Sequence, residues 1–284
     1  MGEVVTRFAP SPTGYLHLGH AYSALFAYEA ARRAGGRFLL RIEDIDPVRC
    51  KPEFTAAIIE DMHWLGLIWE EPVRMQSQHI ADYTAALDRL RVMGVVYPCF
   101  CTRREIAEES AAAGHAPHGI DGVVYAGTCR HLSTQERAEK LEQHGAANWR
   151  LDIAKARTMV GTLTWHDQTR GTITARPEDF GDVVLARKDV PTSYHLSVTV
   201  DDHVQGVSLV TRGEDLLRAT DIHCLLQTLL GYATPEYHHH ALLTDDDAGR
   251  RYAKRDQAAT LRSMRAAGKT PEDIRALFCD TKLF

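Results

Sequence analysis

His17 and His20 stand three residues apart at the end of the run Arg7-Phe-Ala-Pro-Ser-Pro-Thr-Gly-Tyr-Leu-His17-Leu-Gly-His20. At that spacing two rings share one face of a helix's first turn. Unpaired backbone N–H groups and the positive end of the helix dipole favour phosphate there. Gly14 and Gly19 allow a close backbone or ligand approach that a Cβ would block, so the chemistry expected is the grip of a nucleoside triphosphate. Glu43 follows the apolar piece Phe38 to Ile42, which brings a carboxylate to a strand's carboxyl end, where open α/β sheets place their ligands. One carboxylate there suits an ammonium group, while Asp44 and Asp46 are expected to cap the helix near Pro52 to Leu65. Arg212, before Gly213 and after the apolar Val207 to Val210, suits a two-pronged hold on a carboxylate; an ion pair with Glu214 or Asp215 is the alternative.

Three of the six cysteines cluster in sequence, Cys99 and Cys101 around Phe100 and Cys129 after a Gly/His-rich loop. Tetrahedral zinc needs a fourth ligand, and Tyr125, His115, His118 and His131 all stand near. Spacing alone favours a histidine, and buried thiols without a metal are the alternative. Cys50, Cys224 and Cys279 read as isolated thiols. The triple His238-His239-His240 cannot converge on one ion, because a strand throws neighbouring side chains to opposite faces; a strand with one histidine facing the site is expected.

These residues need positioning elements. Val4, Val5 and Phe8 make a short buried strand, Ala21 to Ala34 a helix, and Phe38 to Ile42 a second strand. Helical patterns follow over Ile80 to Met93, Arg104 to Ala113 and Ser133 to His144, whereas Ala147 to Ala186 carries short β-prone pieces between Gly161, Gly171 and Gly181. Tyr194 opens a helix or buried segment that leads to Val200-Asp-Asp-His203, and Asp215 to Leu230 is a helix whose leucines supply a core face, with His223 and Cys224 in its packing. A last helix is expected from Pro271 to Phe284.

A chain of 284 residues, 44% hydrophobic, can bury a full core. The net charge of -5 argues against a generally cationic nucleic-acid binder, so RNA must be met by local basic patches such as Arg103 and Arg104 or the Arg250 to Arg265 segment. No apolar stretch reaches the length of a membrane span and no signal core opens the chain, which points to a cytosolic protein.

The run through His17-Leu-Gly-His20, with Arg41-Ile-Glu43-Asp-Ile-Asp46, the Ser193-Tyr194 pair, Val200-Asp-Asp-His203-x-Gln-Gly206 and Thr211-Arg212-Gly213-x-Asp215, resembles the catalytic core of glutamyl-tRNA synthetases, a class I aminoacyl-tRNA synthetase family. The resemblance spans nearly the whole chain. The basic stretch Gly249-Arg-Arg251-Tyr-Ala-Lys254-Arg255 resembles the second class I signature, Lys-Met-Ser-Lys-Ser, with Lys254 at its second lysine. Arg251, Tyr252, Ala253 and Arg255 depart from it, and Ala253 removes a hydroxyl.

This resemblance implies an α/β fold, a Rossmann-like catalytic core over 1–94 and 191–255, with an inserted zinc-containing α+β subdomain over 95–190 and a short helical end over 256–284 in place of an anticodon-binding domain. It assigns glutamate to Arg7, Ala9, Ser11, Glu43, Tyr194 and Arg212, ATP to His17, His20 and Lys254, and structural zinc to Cys99, Cys101, Cys129 and Tyr125, with Mg²⁺ travelling on ATP. The short chain and the Cys99-x-Cys101, Tyr125-x-x-x-Cys129 pattern are similar to a paralogous group that attaches L-glutamate to the queuosine base at the wobble position of tRNA(Asp). A monomer that acts away from membranes is expected. The alternatives are a shortened glutamyl-tRNA synthetase that charges a tRNA acceptor end and a non-catalytic tRNA-binding paralogue.

Overall fold

The computed structural model describes residues 2–102, 104–106, 108, 118–119, 122–245, 250–251 and 259–278. Strand β1 (Val5–Phe8) is buried along its length and leads through the Pro/Gly turn into helix α1 (Leu18–Arg33). Small residues Ala21, Ala24, Ala27 and Ala31 on the buried face of α1 let it lie close to the sheet, and the Thr6 hydroxyl donates to the Ala27 carbonyl at 2.8 Å. Strand β2 (Arg37–Ile42) pairs in parallel with β1, helix α2 (Pro52–Trp64) follows, and strand β3 (Glu70–Met75) pairs in parallel with β2. Helix α3 (Ile80–Val92) then leads out of this first half.

Period-two alternation gives β2 two buried faces. Phe38, Leu40 and Ile42 pack toward α1 and α2, while Leu39 joins Val5 in the opposite core. The second half returns through α6 (Tyr194–Val204), β11 (Leu209–Gly213), α7 (Ala219–Leu230) and β12 (Glu236–His240), with β11 and β12 parallel. The halves meet where Ser208 donates its N–H to the Val5 carbonyl at 3.0 Å and its hydroxyl accepts from the Val5 N–H at 2.8 Å. The sheet β3-β2-β1 thus lies beside a second sheet that begins β11-β12, with β1 next to β11, and the direction of progression reverses between them, which opens a crevice at the strands' carboxyl ends.

Between the halves lies an inserted α+β region. Strands β4 (Val96–Cys99), β7 (Asn148–Leu151) and β10 (Val184–Ala186) form an antiparallel sheet in the order β10-β7-β4. With them go a short hairpin of β5 (His118–Gly119) and β6 (Gly122–Val123), and helices α4 (Thr134–His144) and α5 (Ile153–Val160). Strands β8 (Thr164–Asp167) and β9 (Gly171–Thr174) leave this region, and β8 pairs with β12, so the hairpin extends the catalytic sheet. Trp165 of β8 packs into the same core as Tyr237, Ile222 and Leu225.

After β12 come β13 (Thr244–Asp245), paired with β14 (Arg250–Arg251), and the short helices α8 (Leu261–Ala266) and α9 (Pro271–Ala276). Leu261, Ile274 and Phe278 insert into the core of α1 and α2. No described helix is long and apolar enough to cross a membrane.

The structure revises several expectations. Ala147 to Ala186 holds helix α5 among its strands, because Asp152 caps it by accepting from the Lys155 N–H and its apolar Ile153 and Ala156 are buried. Helix α7 begins at Ala219 after a tight turn over Glu214–Leu216, and β3 was not foreseen because Glu70, Glu71 and Pro72 interrupt any strand pattern. Asp46 does not cap α2: it accepts from the Val48 and Arg49 N–H groups, Asp44 accepts from Ser77, and Lys51 stands at the N-cap of α2 without a side-chain bond. The last helix is described only as far as α9, and of Arg104 to Ala113 only 104–106 and 108 are described, as helical.

Candidate active site

The crevice between the halves holds a cavity of about 590 Å³. Arg7, Ala9, Ser11, His17, His20, Glu43, Tyr194 and Arg212 all line it, although they come from four separate stretches of sequence. Lys254 lies outside the described residues. The chain enters that stretch from Leu242 and Leu243, which line the cavity, and leaves it at Thr260, which pairs with His17, while the Leu261 N–H donates to the Leu16 carbonyl.

His17 is the N-cap of α1. Its Nδ1 accepts from the Gly19 N–H at 3.1 Å, and the His20 Nδ1 accepts from the His17 N–H at 3.2 Å, an imidazole version of the reciprocal capping box. With both Nδ1 atoms accepting, the neutral rings carry their protons on Nε2, as assigned from this hydrogen bonding. Burial lowers the pKa of His17, and burial with the His17 ring beside it pushes His20 down to about 3. At neutral pH the pair therefore presents N–H donors rather than cations. A Cβ at Gly19 would stand 3.0 Å from the His17 ring, which would have to give by a few tenths of an ångström.

Below the turn lies a buried ionic network. Arg7 Nε is 3.0 Å from Asp202 Oδ1, and Arg7 also donates to the Thr211 carbonyl at 3.2 Å. Arg41, fully buried, reaches Asp202 at 2.7 Å and Glu43 at 3.2 Å. Asp201, beside it in sequence, accepts from Arg74 at 2.7 Å, Gln76 at 2.8 Å and the Tyr83 hydroxyl at 3.0 Å. Burial opposes ionisation of Asp202, but Arg7 and Arg41 outweigh it and hold its carboxyl below the usual range. Burial wins at Glu43 and raises its pKa, with Arg41 and Arg7 offsetting in part. Such a network fixes geometry more than it adds stability. It locks β1, β2 and α6 together at the cavity floor.

Arg212 is treated differently. It is 6% exposed, and all its partners are neutral: His239 Nε2 at 3.1 Å, His223 Nδ1 at 3.2 Å, the Thr220 hydroxyl at 2.5 Å and the Tyr194 hydroxyl at 3.4 Å. Among the described residues no carboxylate pairs with it, and Glu214 pairs instead with Arg170. Burial and the Arg212 charge push His195 and His239 down to about 4 and hold His223 well below its ordinary value, so these rings stay neutral. A buried guanidinium surrounded by neutral acceptors retains its charge for an anionic ligand. A Cβ at Gly213 beside it would meet the Asp215 side chain at 2.6 Å and the Leu242 side chain at 2.8 Å, so these would have to move.

The sequence reading placed His223 in core packing, whereas it touches both Arg212 and His195. As expected, one of the three consecutive histidines, His240, lines the cavity, while His239 contacts Arg212 from the opposite face of β12. Asp202 and Arg41 were quoted in motifs but given no part in the site. The signal for Asp202 is a pair of adjacent acids among Val198, Val200 and Val204 on a helix buried from Leu196 to Asp202, where burial requires them to be paired.

In the inserted region the Sγ atoms of Cys99, Cys101 and Cys129 lie within 4.8 Å of one another. The Tyr125 hydroxyl is 3.5 Å from Cys101 Sγ and accepts from the Cys129 N–H at 2.8 Å, and the Arg150 guanidinium lies 4.0 Å over the Tyr125 ring. Cys129 Sγ accepts from the Phe100 N–H at 3.5 Å. These residues could hold a metal ion. His131 is not part of the group; His115 and the side chain of His118 lie outside what is described.

The family model of the catalytic domain of class I tRNA synthetases (E and Q) matches residues 3–280. The chain is 50% identical to the glutamyl-Q tRNA(Asp) synthetase of Rhodobacter capsulatus over 279 residues, which is 96% of this chain and 99% of that protein. It is 40% identical to the glutamate–tRNA ligase of Aquifex aeolicus, over 98% of this chain but 57% of that one. Among solved structures, a glutamate tRNA ligase from Elizabethkingia meningosepticum in complex with its amino acid superposes with a TM-score of 0.78 at 26% identity, covering 99% of this chain and 62% of that one. Fold, cavity and sequence agree: the chain belongs to the class I tRNA synthetases (E and Q) and carries their catalytic domain.

Proposed function

We propose that this chain activates L-glutamate with ATP and transfers it to the queuosine base at the wobble position of tRNA(Asp). The observation that carries the choice of acceptor is the end-to-end match, 96% of this chain and 99% of the relative, to a glutamyl-Q tRNA(Asp) synthetase. In the first step a glutamate carboxylate oxygen attacks the α-phosphorus of ATP, forming glutamyl-adenylate as the bond to pyrophosphate breaks. In the second a hydroxyl of the queuosine cyclopentene ring attacks the activated carbonyl, loses its proton, and AMP leaves. Neither step needs a covalent enzyme intermediate, so alignment and charge stabilisation are what the protein supplies.

Arg212 and Arg7 take the substrate's carboxylates, Glu43 its ammonium group, and Tyr194, Ser11 and the Ala9 backbone shape the pocket. His17 and His20 donate to the phosphates from the head of α1, joined by Lys254, with Mg²⁺ carried on ATP. Cys99, Cys101, Cys129 and Tyr125 would hold a structural zinc: three thiols and a phenol supply four donors for it, and Arg150 above the Tyr125 ring would offset their negative charge. On this reading residues 1–94 and 191–255 carry the chemistry and 95–190 the acceptor.

The deciding experiment offers labelled glutamate with ATP to purified tRNA(Asp) with and without queuosine, and to tRNA(Glu). Label on the queuosine-bearing tRNA(Asp) alone is expected. Label on tRNA(Glu) would make the chain a charging enzyme, and label on none would remove the activity.

A further inference from the structure

Arg212 is held from behind by a second pair of residues. Asp167 ends β8 opposite Tyr237 of β12, and His239 stands two residues further along β12. The His239 Nδ1 stands 2.7 Å from Asp167 Oδ2, which also accepts from the His239 backbone N–H at 3.1 Å. The other carboxylate oxygen accepts from the Thr169 N–H, the Thr169 hydroxyl and the Arg170 N–H at 2.9, 2.6 and 3.1 Å. Asp167 and His239 both have fully buried side chains. Burial opposes the charge on Asp167, but these donors hold its carboxyl far below the usual range, so it stays ionised.

An ionised Asp167 can only accept, which fixes the neutral imidazole with its proton on Nδ1 and its lone pair on Nε2. That lone pair faces the Arg212 Nε–H at 3.1 Å, with the Thr220 hydroxyl 3.2 Å away on the same nitrogen. A guanidinium has five N–H groups and no acceptor. His239, His223, Thr220 and Tyr194 take up to four of them, and the Tyr194 contact is long at 3.4 Å. The remaining donor capacity faces the cavity. A carboxylate in direct contact would have oriented Arg212 equally well but would have competed with the ligand for its charge. A neutral ring between the two charges orients without neutralising.

We infer that Asp167 and His239 form a positioning dyad that sets the proton arrangement behind Arg212 and aims its guanidinium at the glutamate carboxylate. The inference rests on the proposed assignment of Arg212 to that carboxylate. It makes a strand edge supplied by the inserted region part of the amino-acid pocket.

The test compares His239→Phe, His239→Gln and Asp167→Asn with Arg212→Ala, each in the full chain, by KM for glutamate, KM for ATP and kcat in ATP–pyrophosphate exchange, with queuosine-bearing tRNA(Asp) present. His239→Phe removes the acceptor and is expected to raise the glutamate KM about tenfold or more, with the ATP KM within about twofold of the parent. His239→Gln can accept with Oε1 and donate with Nε2, and is expected to return the glutamate KM to within about threefold. Asp167→Asn turns a donor toward Nδ1, moves the ring proton to Nε2 and sets two N–H groups against each other, so it should act as His239→Phe does. Should the phenylalanine variant fail to fold, the near-isosteric Asp167→Asn carries the test. If Arg212→Ala raises the glutamate KM while His239→Phe and Asp167→Asn do not, the dyad is structural and the inference falls. If glutamate and ATP KM rise together in the dyad variants, the effect is packing and the inference falls as well. An unchanged glutamate KM in Arg212→Ala overturns the assignment of Arg212 itself, and the dyad's function with it.

Discussion

Arg7 and Arg212 are both buried arginines on the cavity wall, yet their partners predict opposite phenotypes on truncation. Arg212 touches only neutral groups, so Arg212→Ala removes a charge that nothing in the protein was using. The groups left behind can be met by water in the cavity, and the stability cost should stay near 1–2 kcal/mol or about that. A substrate carboxylate would lose the charge-assisted hydrogen bond from the N–H that the protein leaves unused, worth about 1.5–3 kcal/mol. At about 1.4 kcal/mol per decade, the glutamate KM should rise by roughly one to two orders of magnitude. Arg7→Ala strips Asp202 of one of its two guanidinium partners. Breaking a buried pair in this way costs about 3–5 kcal/mol, so beside the loss of its substrate contact Arg7→Ala should lower the melting temperature, which Arg212→Ala should do far less. The assay is ATP–pyrophosphate exchange at varied glutamate and at varied ATP, with thermal melts of both variants. The reasoning is refuted if Arg212→Ala melts earlier than Arg7→Ala, or if it raises the glutamate and ATP KM in step.

Asp202→Asn should lower the melting temperature by about 5–15 °C, from loss of a buried carboxylate between two guanidinium groups. It should also flatten the acid limb. A carboxylate whose folded pKa is depressed gives its full contribution above its unfolded value of about 3.9 and loses it as pH falls through the folded value; an acid limb unchanged by the substitution would count against the network. For the cysteine group, metal analysis should find one zinc per chain, and Tyr125→Phe should lose zinc to a chelator about 10–100-fold more readily while the three thiols remain. Equal retention in Tyr125→Phe would take the hydroxyl out of the ligand set.

Local signals made much of the site legible in the sequence. The His17/His20 turn, Glu43 at the end of β2 and Arg212 at the end of β11 were each readable because a strand end or helix start fixes a side chain within a few residues. All of them line one cavity. What stayed hidden depends on long-range pairing. Asp167 and His239 are 72 residues apart in sequence and meet only because β8 adds to the edge of β12. His223 carries only a packing signal in the sequence, because nothing in its helix shows that Arg212 lies against it. Asp46 looked like a helix cap because a turn acid before proline has that pattern, yet the turn's own N–H groups at Val48 and Arg49 took it first.

The β8–β9 hairpin bears on how this chain can be recombined with its relatives. A swap of residues 95–190 for the corresponding stretch of a relative would exchange the edge of the catalytic sheet as well, importing a foreign partner for His239 and a foreign Trp165 into a core shared with Tyr237 and Ile222. Functional chimeras should therefore need two junctions on each side of the hairpin, leaving residues 164–174 with the host. A graft that respects only the outer boundaries would confuse a change of acceptor with a loosened amino-acid pocket.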